Sequence, residues 1–570
     1  MASESTDVEV LIIGGGPVGL ISAIQLGRAG VKTLLLERRT SFSVHAKAGG
    51  IHARTMEIYR QLGLSTLIRE HSEAPNGVLS MGWMTRLNGI ELGNILMGAT
   101  DAEKELFLTW SPETMAICSQ DIYEPLFAEA LNNYPSVELR LNSPATAIEQ
   151  DATGVTVEYA SPEGGIRKVR AQYVIAADGV RSPVRNWLGI DEDSVASLGT
   201  SANVLFEADL EPYRAGREYS LWWIVNGDTQ GAFAWRRRGN VWSYNFEAAM
   251  GAEKATVTPE SCIDEIRLAV GVPNLDVNVI SILLWQHDQA VSRRWRSGRI
   301  FLAGDAAHRF PPHGGFGMNS GVQDSQNLVW KLIARLRWRA GERLLDSYEA
   351  ERKPVAQFNA DQCMVNTKRM AETGWLAKDP HALDAIEAPE GQPIREKMAA
   401  GIPKQREQFF SQGQQFGQIY TSTALVDDQS PIVESDISTY RPTAKPGARA
   451  PHSWLQDESG REFSTIDLIN GGFLVLAGPG GEEWLAAAED VGERIGVPLK
   501  AFRVGSPGYL QRPGDPSWES LVEVHHDGAV LIRPDGQVGA RWVSGATDAG
   551  PALFAALHQI LDLPGSARAA

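Results

Sequence analysis

The residues whose types and spacing could do chemistry sit where apolar runs end. Val10–Ile13 runs into Gly14, Gly16 and Gly19, a G-x-G-x-x-G spacing, and the next mostly apolar run, Val31–Leu36, ends at Glu37. In that pattern Gly14 permits a tight turn, Gly16 lets the backbone approach a pyrophosphate, and Gly19 lets helix and strand pack closely. The pyrophosphate would rest on the first free N–H groups of the following helix. A carboxylate at Glu37 could accept hydrogen bonds from a ribose. This unit alone leaves FAD and NAD(P) both open.

Two later clusters decide between them. "RAQYVIAADG" ends in Asp178 and Gly179, and "RIFLAGD" ends in Gly304 and Asp305. After these come His308, Pro311, Pro312, His313 and a glycine-rich loop (Gly314, Gly315, Gly317), with Met318 and Asn319 opening a long helical pattern. Strand-terminal aspartates can accept hydrogen bonds from sugar or ribityl hydroxyls. A glycine-rich loop lets N–H groups approach a flat ring, and a helix N-terminus stabilises an anion there. A reduced flavin carries such an anion at its N1–C2=O edge, whereas a nicotinamide dinucleotide alone would not need this second apparatus. The cofactor read from these residues is FAD.

The elements that must position these residues follow from hydrophobic period. The opening is β–α–β; "TMEIYRQLGL" and "DIYEPLFAEALNNY" have helical spacing, while "VELRLN", "TGVTVEY" and "RAQYVIAADG" read as strands. From Gly199 to Leu284 short aromatic and β-branched runs ("SLWWIV", "GAFAWRRR", "VWSYNFE") alternate with turn residues, which predicts an inserted sheet. Residues 351–420 read as helical, 430–455 as a Pro-, Ser- and Gly-rich linker, and the remainder alternates strand and helix. The expected fold class is α/β: a Rossmann-type FAD-binding domain, an inserted mixed or antiparallel sheet domain and a thioredoxin-like C-terminal domain. The expected divisions are 1–198, 199–285, 286–430 and 431–570.

Bulk properties narrow the partners. A chain of 570 residues with 43% hydrophobic and 22% charged residues has the composition of a globular protein, and its net charge of -17 argues against nucleic acid. Cys118, Cys262 and Cys363 form no metal-ligand spacing. The N-terminus lacks a signal-peptide pattern, and no apolar run approaches the ~20 residues of a membrane span. These features predict a cytoplasmic protein with no metal and no membrane partner.

The three motifs together, with "LDSYEAERKPVA" after the long helix, resemble the class A flavoprotein monooxygenases that hydroxylate aromatic rings. This is the p-hydroxybenzoate hydroxylase superfamily, and the texture is similar to its phenol hydroxylase, 2,4-dichlorophenol 6-monooxygenase and polyketide hydroxylase branch. The resemblance implies that NADPH (or NADH) reduces FAD, that O2 is trapped as a flavin C4a-hydroperoxide, and that an electron-rich carbon of a small aromatic substrate takes the terminal oxygen. It implies Glu37 on the adenosine ribose, Gln120 beside the flavin, Asp178 and Gly179 at FAD and NADPH, and Asp305 near the ribityl chain. Gly317, Met318 and Asn319 would face the pyrimidine edge, and the Pro312 carbonyl would lie near the reacting ring. The family's "HPRA" loop is "HAKA" here, so Lys47 replaces an arginine and keeps charge without the bidentate fork. Gly49 stands where phenol hydroxylases carry an aspartate that polarises the substrate hydroxyl. The C-terminal domain contains no cysteine, so packing or dimerisation suits it better than thiol chemistry, and it is the candidate surface for a homo-oligomer.

Plainer readings stand beside these. His308 and His313 could be packed, hydrogen-bonded histidines, although His313 together with Pro312 is the nominated catalytic pair. His45 and His52 read as surface or supporting positions. Trp222 and Trp223 must point to opposite faces of a strand; Trp222 and Trp235, with Gly49, are nominated for the substrate pocket. Arg236, Arg237 and Arg238 read as a solvated strand end. The same motifs would serve epoxidation, Baeyer–Villiger oxidation or a catalytically silent FAD-binding protein. A flavin halogenase would need W-x-W-x-I-P, which the chain lacks.

Overall fold

The computed structural model describes the main chain of residues 6–45, 47–73, 79–195, 199–214, 216–236, 239–250, 257–375, 380–545 and 548–564. Its first sheet is built on the strand Thr6–Ile13, paired in parallel with Thr33–Leu36 on one side and Ile166–Ala176 on the other. Val137–Arg140 and Ile300–Leu302 extend the parallel core, and the antiparallel strands Ala145–Gln150 and Val155–Ala160 fold against Ile166–Ala176. Val10, Leu11 and Ile12 are fully buried, because helices cover both faces of a parallel sheet and every side chain is then interior. Parallel pairing brings the C-terminal ends of three strands to one edge. Gly14 N–H donates to Leu36 O, Ala177 N–H to Ile13 O and Ala303 N–H to Ala176 O, so the loops after these strands leave together.

The second sheet has seven strands. Five fall in the expected 199–285 insertion: Gly199–Glu207, Leu221–Val225, Gln230–Trp235, Val241–Met250 and Asn278–Gln286. The other two, Leu79–Met84 and Glu91–Met97, come from inside the first domain, and Leu79–Met84 pairs in parallel with Leu221–Val225. The sheet is therefore mixed and is not confined to the insertion. One of its faces is closed by the helix Pro259–Val270, which contributes Cys262, Ile266 and Ala269 to the core there. Short aromatic strands dominated the sequence pattern of this region and hid that helix.

Two long helices, Phe316–Arg337 and Glu342–Met370, pack on the first sheet and carry the C-terminal domain. In that domain Leu499–Arg503 and Phe473–Ala477 are parallel, Ala529–Ile532 and Val538–Trp542 follow antiparallel, and the helices Glu482–Ile495 and Ala549–Ile560 cover one face. Trp330 and Trp338 of the first long helix pack on Phe473. The expected linker is pinned in place: Tyr440 and Arg449 are buried, and the Arg449 guanidinium pairs with the fully buried Glu57. A buried charge needs a partner, and that need welds this stretch to the first domain. Among the described residues no helix is long and apolar enough to cross a membrane.

Candidate active site

The first loop is tight toward the protein and open on the other side. A Cβ on Gly14 (φ +110°) would meet Ala177 O at 2.2 Å, and one on Gly19 would meet Gly14 O at 1.9 Å. A Cβ on Gly16 would meet only Glu124 Oε1, at 3.9 Å. Gly16 also caps the helix Pro17–Arg28 without any side-chain hydrogen bond, which leaves the N-terminal N–H groups for an anion. Glu37 accepts hydrogen bonds from Gly15 N–H (2.6 Å) and from the Arg39 main chain (2.8 Å) and side chain (3.0 Å). Burial works to raise its carboxyl, but these donors hold it below the ordinary glutamate value. Gln120 opens the helix Gln120–Ala130 and donates to Glu124, whose carboxylate also accepts from Ser43 N–H and Arg39.

Asp178 follows the strand Ile166–Ala176 and accepts from Ser182 Oγ (2.7 Å) and Val184 N–H (3.0 Å), so it also caps the turn beyond Gly179. Asp305 is solvent-exposed but closely surrounded: burial raises its carboxyl, while His308, Arg309 and Lys47 draw it back down. Lys47, also exposed, lies near enough for Arg39, Glu124 and Asp305 to act on its charge.

His308 is structural. It is fully buried, its Nε2–H donates to Asp324 Oδ2 at 2.7 Å, and its ring stacks on Phe310 at 4.7 Å. Asp324 also accepts from Gly304 N–H (3.2 Å) and Arg352 Nε (2.9 Å), and so holds the Gly304–Asp305 turn from behind. Sequence reasoning missed Asp324 and Arg352; the signal was an acid on a helix whose neighbours are buried all round.

The glycine-rich loop leads into Phe316–Arg337. Gly315 (φ +71°) caps that helix without a side-chain hydrogen bond, and a Cβ on Gly317 would meet nothing within 4 Å. Asn319 is buried and locks the loop: its Oδ1 accepts from His52 N–H (2.9 Å), and its Nδ2 donates to Gly50 O (2.9 Å) and Gly315 O (2.7 Å). His52 Nε2–H donates to Gly314 O at 2.9 Å, and burial drives its pKa down to about 4. Met318 packs at the edge of the core beside Tyr59. Two helix N-termini without side-chain caps, with open space at Gly16 and Gly317, suit an anionic dinucleotide such as FAD.

The catalytic nominations change. The exposed Pro312 accepts a hydrogen bond from Gly315 N–H (2.9 Å), so its carbonyl closes the loop's turn. His313 is buried, donates from Nδ1 to Thr367 Oγ1 (2.9 Å) and stacks with Trp223 (6.3 Å, 18°). Burial pushes its pKa to about 3, so the ring is uncharged at neutral pH.

The substrate-pocket nominations change as well. Trp222 is fully buried on the helix-covered face, with Phe233 and Trp242, and Trp235 stacks on Trp242 on that same face. Trp223 faces the cofactor domain instead, stacked with Trp83 (6.1 Å) and edge-on to Trp375 (4.7 Å). Alternation required opposite faces, and only tertiary packing says which is which. Strand register sets Trp83, Trp223, Ala232, Asn245, Asn203 and Leu283 side by side in one row of this face. In the neighbouring row Ser201 lies opposite Glu247 and Trp285. His45 hydrogen-bonds Ser281 (2.7 Å) and Asn203 (3.1 Å), clamping the segment between Glu37 and Gly50 onto this face. Arg236 is buried and pairs with the buried Glu73 (3.3 Å), not solvated as expected; Arg237 and Arg238 lie outside the described residues. A Cβ on Gly49 would lie 3.8 Å from Arg236 Nη1, which places that glycine at the margin of the polar half.

Residues 7–363 match the FAD binding domain family, and residues 443–564 match the family of aromatic-ring hydroxylase C-terminal domains. The chain belongs to the FAD-dependent aromatic-ring hydroxylases. It is 35% identical to the tetracenomycin A2 monooxygenase-dioxygenase of Streptomyces glaucescens, over 98% of this chain and 97% of that one. It is 33% identical to the 4-methyl-5-nitrocatechol 5-monooxygenase of a Burkholderia species, over 97% and 98%. The crystal structure of the flavin-dependent monooxygenase PieE with FAD and substrate superposes with a TM-score of 0.90 at 32% identity, over 99% of this chain and 100% of that one. This hydroxylase is an FAD enzyme that uses O2 and a reduced nicotinamide and acts on a small aromatic substrate. Among the described residues no cluster of His, Cys, Asp or Glu could hold a metal ion.

Proposed function

We propose that this hydroxylase acts on a fused polycyclic phenol. The observation that carries the reading is the row Trp223–Ala232–Asn245–Asn203, which His313 touches at Trp223 and His45 at Asn203. Its three inter-strand steps span about 14 Å, wider than one benzene ring and comparable with several fused rings. The small Ala232 separates an aromatic end (Trp223, Trp83, Trp375, His313) from a polar end (Asn245, Asn203, Trp285), and in this reading the substrate lies across it. Flat rings would stack at the first end while hydroxyl and carbonyl groups find partners at the second. The tetracenomycin relative supports the same scale of substrate.

In this reading Gly14, Gly16 and Gly19 seat the pyrophosphate and Glu37 braces the loop beside the ribose. Asp178, Gly179, Gln120, Lys47 and Asp305 lie along the cofactor, while Gly317, Met318 and Asn319 present N–H groups to the ring. When bound, FAD supplies electron transfer from the nicotinamide and activation of O2. The chain's own part is to stack and orient the substrate, to polarise its hydroxyl, and to exclude water behind the tryptophan wall. NADPH is the proposed donor and the cytoplasm the proposed compartment, in keeping with three buried cysteines that form no disulfide with one another. The C-terminal domain is assigned to packing on the long helix, given the shared core of Trp330, Trp338 and Phe473.

The test is NADPH oxidation by the yellow protein with single-ring phenols, hydroxypyridines, naphthols and larger fused phenols, with products weighed for one added oxygen. The reading expects the best coupling with fused rings. Coupled turnover confined to single-ring phenols overturns the size argument, and oxidation unaffected by any of them overturns the hydroxylase reading.

A further inference from the structure

The mechanism above leaves one group unused. Glu247 lies on the site face of the sheet, opposite Ser201, with a mostly buried side chain. Its Oε1 is buried without a hydrogen-bond partner among the described residues, while Oε2 lies 3.7 Å from His287 Nε2. Ser201 Oγ hydrogen-bonds that same His287 nitrogen, and the His287 ring stacks flat on Trp285 at 4.2 Å and 15°. A buried carboxylate oxygen with no donor is destabilising, and such orphans call for a specific explanation. A missing ligand donor at the polar end of that face supplies one.

We propose that Glu247 is the proton acceptor for the ring hydroxyl of the substrate, held in place by Ser201 and His287. The inference rests on the phenol-hydroxylating reading above. In the step, the phenolic O–H bond breaks, the proton passes to the Glu247 carboxylate, and the electron pair stays on the ring oxygen, which enriches the carbons ortho and para to it. No redox partner is needed for this transfer. As the hydroxylated ring regains aromaticity, Glu247 gives its proton back to the ring oxygen and the carbon-bound hydrogen leaves as a proton to solvent water.

The electrostatics suit the role. Burial raises the Glu247 carboxyl to about 7, with the Ser201 hydroxyl and the Thr200 N–H limiting the rise. General bases work best when their pKa lies near the working pH. The titratable group facing it is His287, which in turn acts on His313, and burial holds the two at about 4 and about 3. Both are neutral where Glu247 titrates, so one ionisation governs the site near neutrality. His45, hydrogen-bonded to Asn203 and Ser281 on the same face, is also depressed by burial.

Glu247→Gln keeps the shape and removes the basicity. Its FAD content should match that of the wild type, while coupled hydroxylation falls by about 100-fold or more, within the usual range for general-base catalysis. In the wild type, kcat/KM should rise with pH through about 7, as the carboxylate forms. That limb should vanish in Glu247→Gln and return in part in Glu247→Asp. An equilibrium readout uses the oxidised holoenzyme without NADPH, titrated with 1-naphthol or 1-methoxynaphthalene and followed by perturbation of the flavin spectrum. The wild type should prefer the naphthol by roughly tenfold or more, the scale of a hydrogen bond to a charged group, and Glu247→Leu should erase the preference. A Glu247→Gln enzyme that keeps the limb and a rate within about threefold of wild type overturns the assignment, as does a Glu247→Leu enzyme that keeps the preference. If neither naphthalene perturbs the flavin, the fused-phenol reading fails and takes the inference with it.

Discussion

Replacing Asp324 by Asn tests whether the site is held from behind. The carboxylate is fully buried and receives three donors: His308 Nε2 at 2.7 Å, Arg352 Nε at 2.9 Å and Gly304 N–H at 3.2 Å. Burial alone would raise its pKa, but His308 and Arg352 outweigh that and keep it below the usual aspartate value. In Asp324→Asn, the Arg352 guanidinium stays fully buried with only Tyr420 OH (2.9 Å) and Ser320 O (3.2 Å) as partners. Breaking a buried pair by removing one partner costs about 3–5 kcal/mol. Replacing both partners is much milder, so Asp324→Asn/Arg352→Met should recover about 2–3 kcal/mol of that loss. Urea unfolding of the four proteins of the cycle measures the coupling, with thermal midpoints at one scan rate as a substitute where refolding fails. FAD retention through gel filtration should fall in the single variant, because the Gly304 N–H that anchors the Asp305 turn exchanges a charged acceptor for a neutral amide oxygen, which is weaker. A depressed carboxylate contributes stability above its unfolded pKa of about 4 and loses it as pH falls through the lower folded value, so the gap between wild type and Asp324→Asn should close in acid. A single variant within about 1 kcal/mol of wild type, or additivity within about 0.5 kcal/mol, would refute the reasoning.

Other substitutions separate packing from binding. Gly19→Ala would put a Cβ 1.9 Å from Gly14 O, so little folded protein should be recovered; Gly317→Ala, with nothing within 4 Å, should fold normally and bind FAD more weakly, read by flavin fluorescence titration. Trp222→Ala should cost about 3–5 kcal/mol of stability and leave the KM of the surviving enzyme unchanged. Trp223→Phe should keep most of the stability and divert NADPH consumption toward H2O2, read by peroxide assay. Four buried histidines titrate far below their ordinary range: His52 and His287 at about 4, His313 and His452 at about 3. They are neutral when folded and take up protons on unfolding, so their contribution is complete above the unfolded pKa of about 6.5 and lost as pH falls toward the folded values. Each adds a slope of about 1.4 kcal/mol per pH unit in that window. The thermal midpoint should therefore drop steeply between about pH 6 and pH 4, and a flat profile there would contradict the burial of these rings.

The sequence by itself determined that the cofactor is FAD, because the signals for it are local. Gly14, Gly16 and Gly19 act through backbone geometry within one turn, and Asp178 and Asp305 act from strand ends that any parallel sheet brings to a common edge. Tertiary structure alone decided the substrate side. Whether Trp222 or Trp223 faces the site depends on which side of the sheet the helix Pro259–Val270 covers, and a period-two pattern is blind to that choice. Strands Leu79–Met84 and Glu91–Met97 join the sheet from more than a hundred residues away, so no local window contains the pairing. The burial of Arg236 against Glu73, of Asp324 against Arg352, and the pairing of Ser201 with His287 beside Glu247 likewise exist only after folding. A charge or an orphaned oxygen gains its meaning from the partners that long-range packing brings or withholds.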